Sequence, residues 1–164
     1  MPDRKELVIN TGPLIALVAA ASNLEILRGL YSRVIVPFEV CGEIITGGST
    51  GFAVPEFQAA TFLEKRSTPT DISSFLTNSL DPGEASVIQT ALDLRIATVC
   101  IDEAVGRRIA RLNALAVTGS IGIMLRAKQQ GVPLSLRTAL DSMRRHGIWV
   151  GKEVADAALK QAGE

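Results

Sequence analysis

Near its start the chain carries an unbroken apolar run, Leu7-Val8-Ile9, that ends on Asn10; apolar residues then return at helical spacing after Gly12-Pro13. Residues 6–10 read as a short buried strand and Gly12-Pro13 as the opening of a helix, because proline is tolerated in a first turn. A second helix fits residues 23–30, with Ser22 or Asn23 as N-cap, and Val34-Ile35-Val36 predicts a strand over 33–36. The next helix carries Glu39, Val40, Glu43 and Ile44, and the Gly-Gly-Ser-Thr-Gly run at 47–51 breaks it. The stretch to about residue 80 has the weakest pattern, with a helix near 56–61 and a strand near 62–67.

The second half alternates more plainly. Residues 80–94 read as a helix opened by Asp81, 95–102 as a buried strand, 103–114 as a helix, 115–119 as a strand, and 120–131 as a helix closed by Gly131. Leu136, Leu140 and Met143 line one side of a further helix over 135–145, and a last one follows Gly151. Strands alternating with helices predict a parallel sheet covered on both faces.

Composition narrows the picture. A chain of 164 residues is one domain by length and buries roughly two thirds of its unfolded surface without needing a disulfide or a structural metal. The hydrophobic fraction is 47% but aromatics make only 4%, which favours aliphatic helices packed on a sheet. Lys+Arg and Asp+Glu balance at 17 each, so nucleic-acid binding has to use local patches rather than a global field. Cys41 and Cys100 lack zinc-site spacing and read as buried small hydrophobes in a reducing, cytoplasmic setting. The charged start, Met1 to Glu6, leads into only a short apolar run, which supports neither secretion nor a membrane span.

In a parallel α/β sheet ligands sit at the carboxyl ends of the strands. Asn10 and Asp102 end two strands, Glu84 begins a helix that should lie beside them, and Glu43 lies on the helix after the second strand. Each has a plain structural reading beside the functional one. Asp81-Pro82-Gly83-Glu84 resembles a capping box, with Glu84 reaching back to a backbone N–H. Yet Glu84 also shares a face with Ile88, Ala91 and Leu92, the core-facing stripe, and a carboxylate aimed at a core calls for a cation. Glu39 and Glu43 are like charges one turn apart, so one of them has reason to be solvated. Asp102 and Glu103 suit the cap and first turn of the following helix, and Asn10 suits a cap as well. Convergence on one sheet edge favours the functional reading for the set.

Four stretches, "VINTGPLIAL", "VIVPFEVCGEI", "DPGEASVIQTALDLRIATVCIDEAVGRRIA" and "AVTGSIGIMLRAKQQG", resemble the PIN-domain superfamily, within it the PIN-like toxins of toxin–antitoxin pairs. The closing "GIWVGKEVADAALKQAGE" resembles the tail of that subgroup. The resemblance implies a Rossmann-like three-layer α/β/α sandwich over residues 1–164, with 132–164 as a helical extension packed on it. It further implies a Mg²⁺- or Mn²⁺-dependent endoribonuclease with RNA as substrate, an antitoxin protein as partner, and a homodimer. Position by position, the metal-holding acids fall on Asn10, Glu43, Glu84 and Asp102, and Thr11 matches the hydroxyl residue that commonly follows the first. Acids suit that task because Mg²⁺ prefers hard oxygen ligands and keeps waters, one of which can attack a phosphodiester. Asn10 departs from the pattern: its amide oxygen can ligate, but a charge is missing, and metal binding should weaken. A catalytically weak or silent scaffold that binds a protein or RNA is therefore the alternative.

Arg107 and Arg108, with Arg111, offer an RNA backbone a cationic helix face, or are simply solvated. Ser120 opens a helix at the sheet edge where N–H groups can accept phosphate, or is an ordinary cap. His146 has no partner at nucleophile or zinc spacing, and Trp149 is expected to pack the last helix or a dimer contact rather than a base. No G-x-G-x-x-G or P-loop follows the first strand, which disfavours a nucleotide-binding module.

Overall fold

The computed structural model describes residues 5–47 and 51–164. In chain order these residues form β1 (Lys5–Ile9), α1 (Thr11–Ala21), α2 (Glu25–Leu30), β2 (Tyr31–Val36), α3 (Phe38–Thr46), α4 (Val54–Ala59), β3 (Glu64–Lys65) and α5 (Ser74–Ser79). There follow α6 (Pro82–Leu94), β4 (Thr98–Cys100), α7 (Ala104–Leu112), β5 (Ala116–Thr118), α8 (Ser120–Gln129), α9 (Leu136–Arg145) and α10 (Lys152–Gln161). The result is a three-layer α/β/α sandwich around a five-stranded parallel sheet of order β3-β2-β1-β4-β5.

Burial explains why the strands are so apolar. Leu7, Val8 and Ile9 are fully buried in the central strand, which pairs with β2 through Val8 and Ile35 and with β4 through Val8 and Val99. Helices covering both faces of a parallel sheet leave no strand face for water, so polar alternation disappears. α6 packs along β1 and β4 and takes α3, α5 and α7 as neighbours; α1 packs on α8 and α9, and α10 on α8 and α9. The sheet order reverses at β1, where the chain first moves outward to β2 and β3 and then returns to β4 on the other side. That switch point opens a crevice at the carboxyl ends of β1 and β4. The backbone N–H of Asn10 donates to the Cys100 carbonyl at 3.0 Å, tying the two strand ends together there.

The elements differ from expectation mainly at their edges. The second helix starts at Glu25 rather than Asn23, whose side chain instead accepts the Glu25 N–H, and β2 begins at Tyr31. The strand near 62–67 shrinks to Glu64–Lys65, and β4 occupies only Thr98–Cys100 of the long apolar run. The helix α5 was not predicted, because Ser, Thr and Asn disfavour helix interiors; the Ser73 hydroxyl caps it by accepting from Leu76 N–H. Cys100 is buried as expected, whereas Cys41 is only half-buried. α3 closes on Gly47. Most of the expected breaker, residues 48–50, and the charged start, residues 1–4, lie outside the described residues. No helix among the described residues is long and apolar enough to cross a membrane.

Candidate metal centre

Two helices, α6 and α7, open at the switch-point edge, and their first residues carry acids. Asp81 is the N-cap of α6 and its carboxylate accepts the Glu84 N–H at 2.9 Å; Glu103 is the N-cap position of α7 and its side chain caps nothing. Ligand oxygens of Asp81, Glu84 and Glu103 all lie within 4.8 Å of one another. Helix N-termini supply partial positive charge that makes such crowding tolerable, though each contributes only about half an elementary charge.

Glu84 sits at the bottom of this cluster. It is 4% exposed, and its Oε1 is buried without a hydrogen-bond partner. Burial, reinforced by the carboxylates of Asp81, Glu103 and Glu43 and by a side-chain hydrogen bond with Glu103, pushes its pKa up to about 7. A buried oxygen without a donor costs on the order of 1–3 kcal/mol. The capping-box reading is thus half right: Asp81 does cap α6, but Glu84 does not reach back to the backbone. Leu92, assigned with it to the buried stripe, is 39% exposed and lies off that stripe.

Around the cluster, three carboxylates lie where a glycine leaves out its Cβ. A Cβ on Gly83 would fall 2.3 Å from Glu43 Oε1, one on Gly106 3.1 Å from Glu84 Oε1, and one on Gly119 2.6 Å from Asp102 Oδ1. Glu43 is further oriented by Thr11, whose hydroxyl donates to its Oε2 at 2.6 Å. The like-charge tension with Glu39 is resolved on separate partners, since Glu39 accepts the N–H and hydroxyl of Thr70 at 2.8 and 2.7 Å. Asn10 is buried at the end of β1, and its side chain makes no capping bond; its Oδ1 is a second buried oxygen without a partner. The capping alternative for Asn10 is therefore overturned.

Of the expected acids, Glu84 alone belongs to the triplet whose oxygens lie mutually within 4.8 Å. Asp102 is bonded to Ser120, accepting its N–H at 2.8 Å and its hydroxyl at 2.9 Å, while Arg107 donates to the Ile101 carbonyl at 2.9 Å beside it. Ser120 therefore spends on Asp102 the N–H group that was expected to face a phosphate, and Gly119 takes the cap position. Arg107 is half-buried and Arg108 exposed on α7. Asp81 and Glu103, both read from sequence as caps alone, complete the triplet with Glu84 in place of Glu43 and Asp102. Both stand at the N-cap position of a helix opening at the same sheet edge, which is the one sequence signal that points to them.

The donor set suits a hard divalent cation. Carboxylate oxygens from three residues, a fourth carboxylate on Glu43 nearby, and orphaned oxygens on Glu84 and Asn10 are what such an ion satisfies and what a water cluster or a helix dipole satisfies only in part.

A parallel α/β sandwich with an acidic centre at its topological switch point is the class that fold and site define. The chain matches the family model DUF3368, described as a PIN domain, over residues 6–164. It belongs to the PIN-domain family. No curated protein matches it.

Proposed function

We propose that the protein is a Mg²⁺- or Mn²⁺-dependent endoribonuclease. The observation that carries this reading is the buried Glu84, with a partnerless oxygen, held within 4.8 Å of Asp81 and Glu103 at the edge where a parallel sheet binds ligands. Asp81, Glu84 and Glu103 would hold the ion, with Glu43 and the Asn10 amide oxygen completing the pocket. A bound divalent ion supplies an activated water and neutralises charge on the phosphodiester. Thr11 fixes the Glu43 rotamer through its 2.6 Å hydrogen bond, and Gly83 leaves the room that Glu43 occupies. Asp102 positions the start of α8 through Ser120, and Arg107, next to it, presents a cation on the approach to the acids. Glu84, with its pKa near 7, takes up or gives up a proton as the charge in the pocket changes. The toxin role, an antitoxin partner and a homodimer belong to the same reading and rest on the resemblance; a cytoplasmic setting rests on the two free thiols.

A second reading, a silent scaffold, is favoured by one observation: Asn10 contributes no charge at the buried strand end. Single-stranded RNA incubated with the protein and Mn²⁺ separates the two. Cleavage that EDTA stops and that Glu84→Gln abolishes supports the nuclease; intact RNA in all three reactions supports the scaffold.

A further inference from the structure

A groove of about 810 Å³ runs from the acidic centre to the turn between α9 and α10. Ile15, Val117, Ile148, Val150 and Val154 line it, and Trp149, 81% exposed, stands in its wall. At that exposure Trp149 is not packed on the last helix, one of the two alternatives expected from the sequence. The charged residues that line the groove, among those described, are Asp102, Glu103 and Arg107, all at the end next to the acids; the remainder is uncharged.

We infer that this groove is a subsite for a nucleobase of single-stranded RNA, stacked on Trp149 next to the phosphodiester held at the acidic centre. The charge pattern is what selects the occupant. A phosphate is compatible only with the end where a cation and Arg107 offset the carboxylates, whereas the apolar length has no charge to hold a phosphodiester backbone and matches the uncharged faces of a base. The volume lies within the range of about 300–1,000 Å³ typical of small-molecule sites, and an exposed indole offers the sequence-tolerant stacking that single-stranded nucleic acids use. The inference rests on the nuclease reading for the identity of its ligand.

Trp149 is the chain's single tryptophan, so it reports its own occupancy. Its fluorescence is followed while a cleavage-resistant 2′-O-methyl single strand is added, with an abasic strand of equal length and inorganic phosphate as controls. The inference expects quenching by the base-bearing strand alone, and, read by the fluorescence anisotropy of a dye-labelled strand, binding weakened about 5- to 100-fold in W149A and largely kept in W149F. Equal quenching by the abasic strand, no response at all, or unchanged affinity in W149A overturns it. A spectral change that follows protein concentration but not RNA also overturns it and assigns the groove to a second copy. Cleavage of unmodified RNA is scored separately: cleavage without quenching removes the subsite and leaves the nuclease, and quenching without cleavage does the reverse.

Discussion

Glu84 and Glu164 carry the same side chain into opposite surroundings. Glu164 is clasped by the Lys128 ammonium, the Ser135 hydroxyl and the N–H groups of Leu136 and Arg137, so it caps α9 and ties it to α8. The Lys128 contact above all, then the Leu136 amide, brings its pKa down to about 2. Glu84 has carboxylates for neighbours instead of cations, and one of its oxygens has no donor. The first arrangement is complete within the chain and holds the fold together; the second leaves an oxygen unpaired, which a proton satisfies below about pH 7 and, in the function proposed above, a cation satisfies at higher pH. Among the described residues Asn10, Glu56 and Glu84 each bury an oxygen without a donor, but Glu84 alone combines that deficit with a tight cluster of acids, which marks where function has been placed at the expense of stability.

Exchanging either residue should split those two properties. Glu84→Gln is expected to lower metal-dependent cleavage at least about 100-fold, while raising the midpoint of thermal unfolding in EDTA above pH 7, because an uncompensated buried charge is gone. Glu164→Ala should do the reverse, leaving cleavage intact and lowering the unfolding midpoint. Cleavage rates and calorimetry on the two variants check this; a Glu84→Gln protein that loses stability along with activity would show the cluster to be structural.

A smaller effect is expected from crowding a neighbour. Gly83→Ala puts a methyl where Glu43 now lies, separates Glu43 from Thr11, and should cost between about 10- and 100-fold in cleavage with little change in the unfolding midpoint. Asn10→Asp restores the missing charge and should tighten Mn²⁺ by roughly tenfold after desolvation offsets part of the Coulomb gain. Calorimetric titration reads that change, and equal affinity would leave Asn10 outside the ion's reach.

The smallest effect is on pH dependence. The folded-state pKa of Glu84 is raised from 4.5 to about 7, so between these values the folded chain holds a proton that the unfolded chain releases. Metal-free stability therefore falls as pH rises through that window and levels off above it. Glu164 has the opposite sign: its lowered pKa contributes stability above 4.5 that is lost as pH falls towards 2. Denaturant unfolding in EDTA at a series of pH values should show the first slope in the wild type and a shallower one in Glu84→Gln.

The sequence reveals the layers because they follow from apolar periodicity. Leu7-Val8-Ile9 and Val34-Ile35-Val36 can only be buried strands once helices cover both faces. It reveals less where tertiary contacts set the outcome. β3 is two residues long because pairing with Ile35 and Val36, not its own composition, defines it. At the site, Glu84 and Glu43 were legible as acids on converging elements. Asp81 and Glu103 were not, because a helix cap accounts for an acid so readily that its second role disappears. The bonds that orient Asp102 were hidden for a related reason: its partner Ser120 lies 18 positions away, and no local spacing announces them. The three glycines beside Glu43, Glu84 and Asp102 show only in three dimensions, since their meaning is the missing Cβ.

Whether Asp81, Glu84 and Glu103 together hold one divalent cation is read out by Mn²⁺ titration near neutral pH, with wild type compared against Glu84→Ala and the exposed control Glu64→Ala. One Mn²⁺ per chain, lost in Glu84→Ala and kept in Glu64→Ala, is the expected result. Equal binding by all three proteins, or none by the wild type, would mean that these three acids hold no ion.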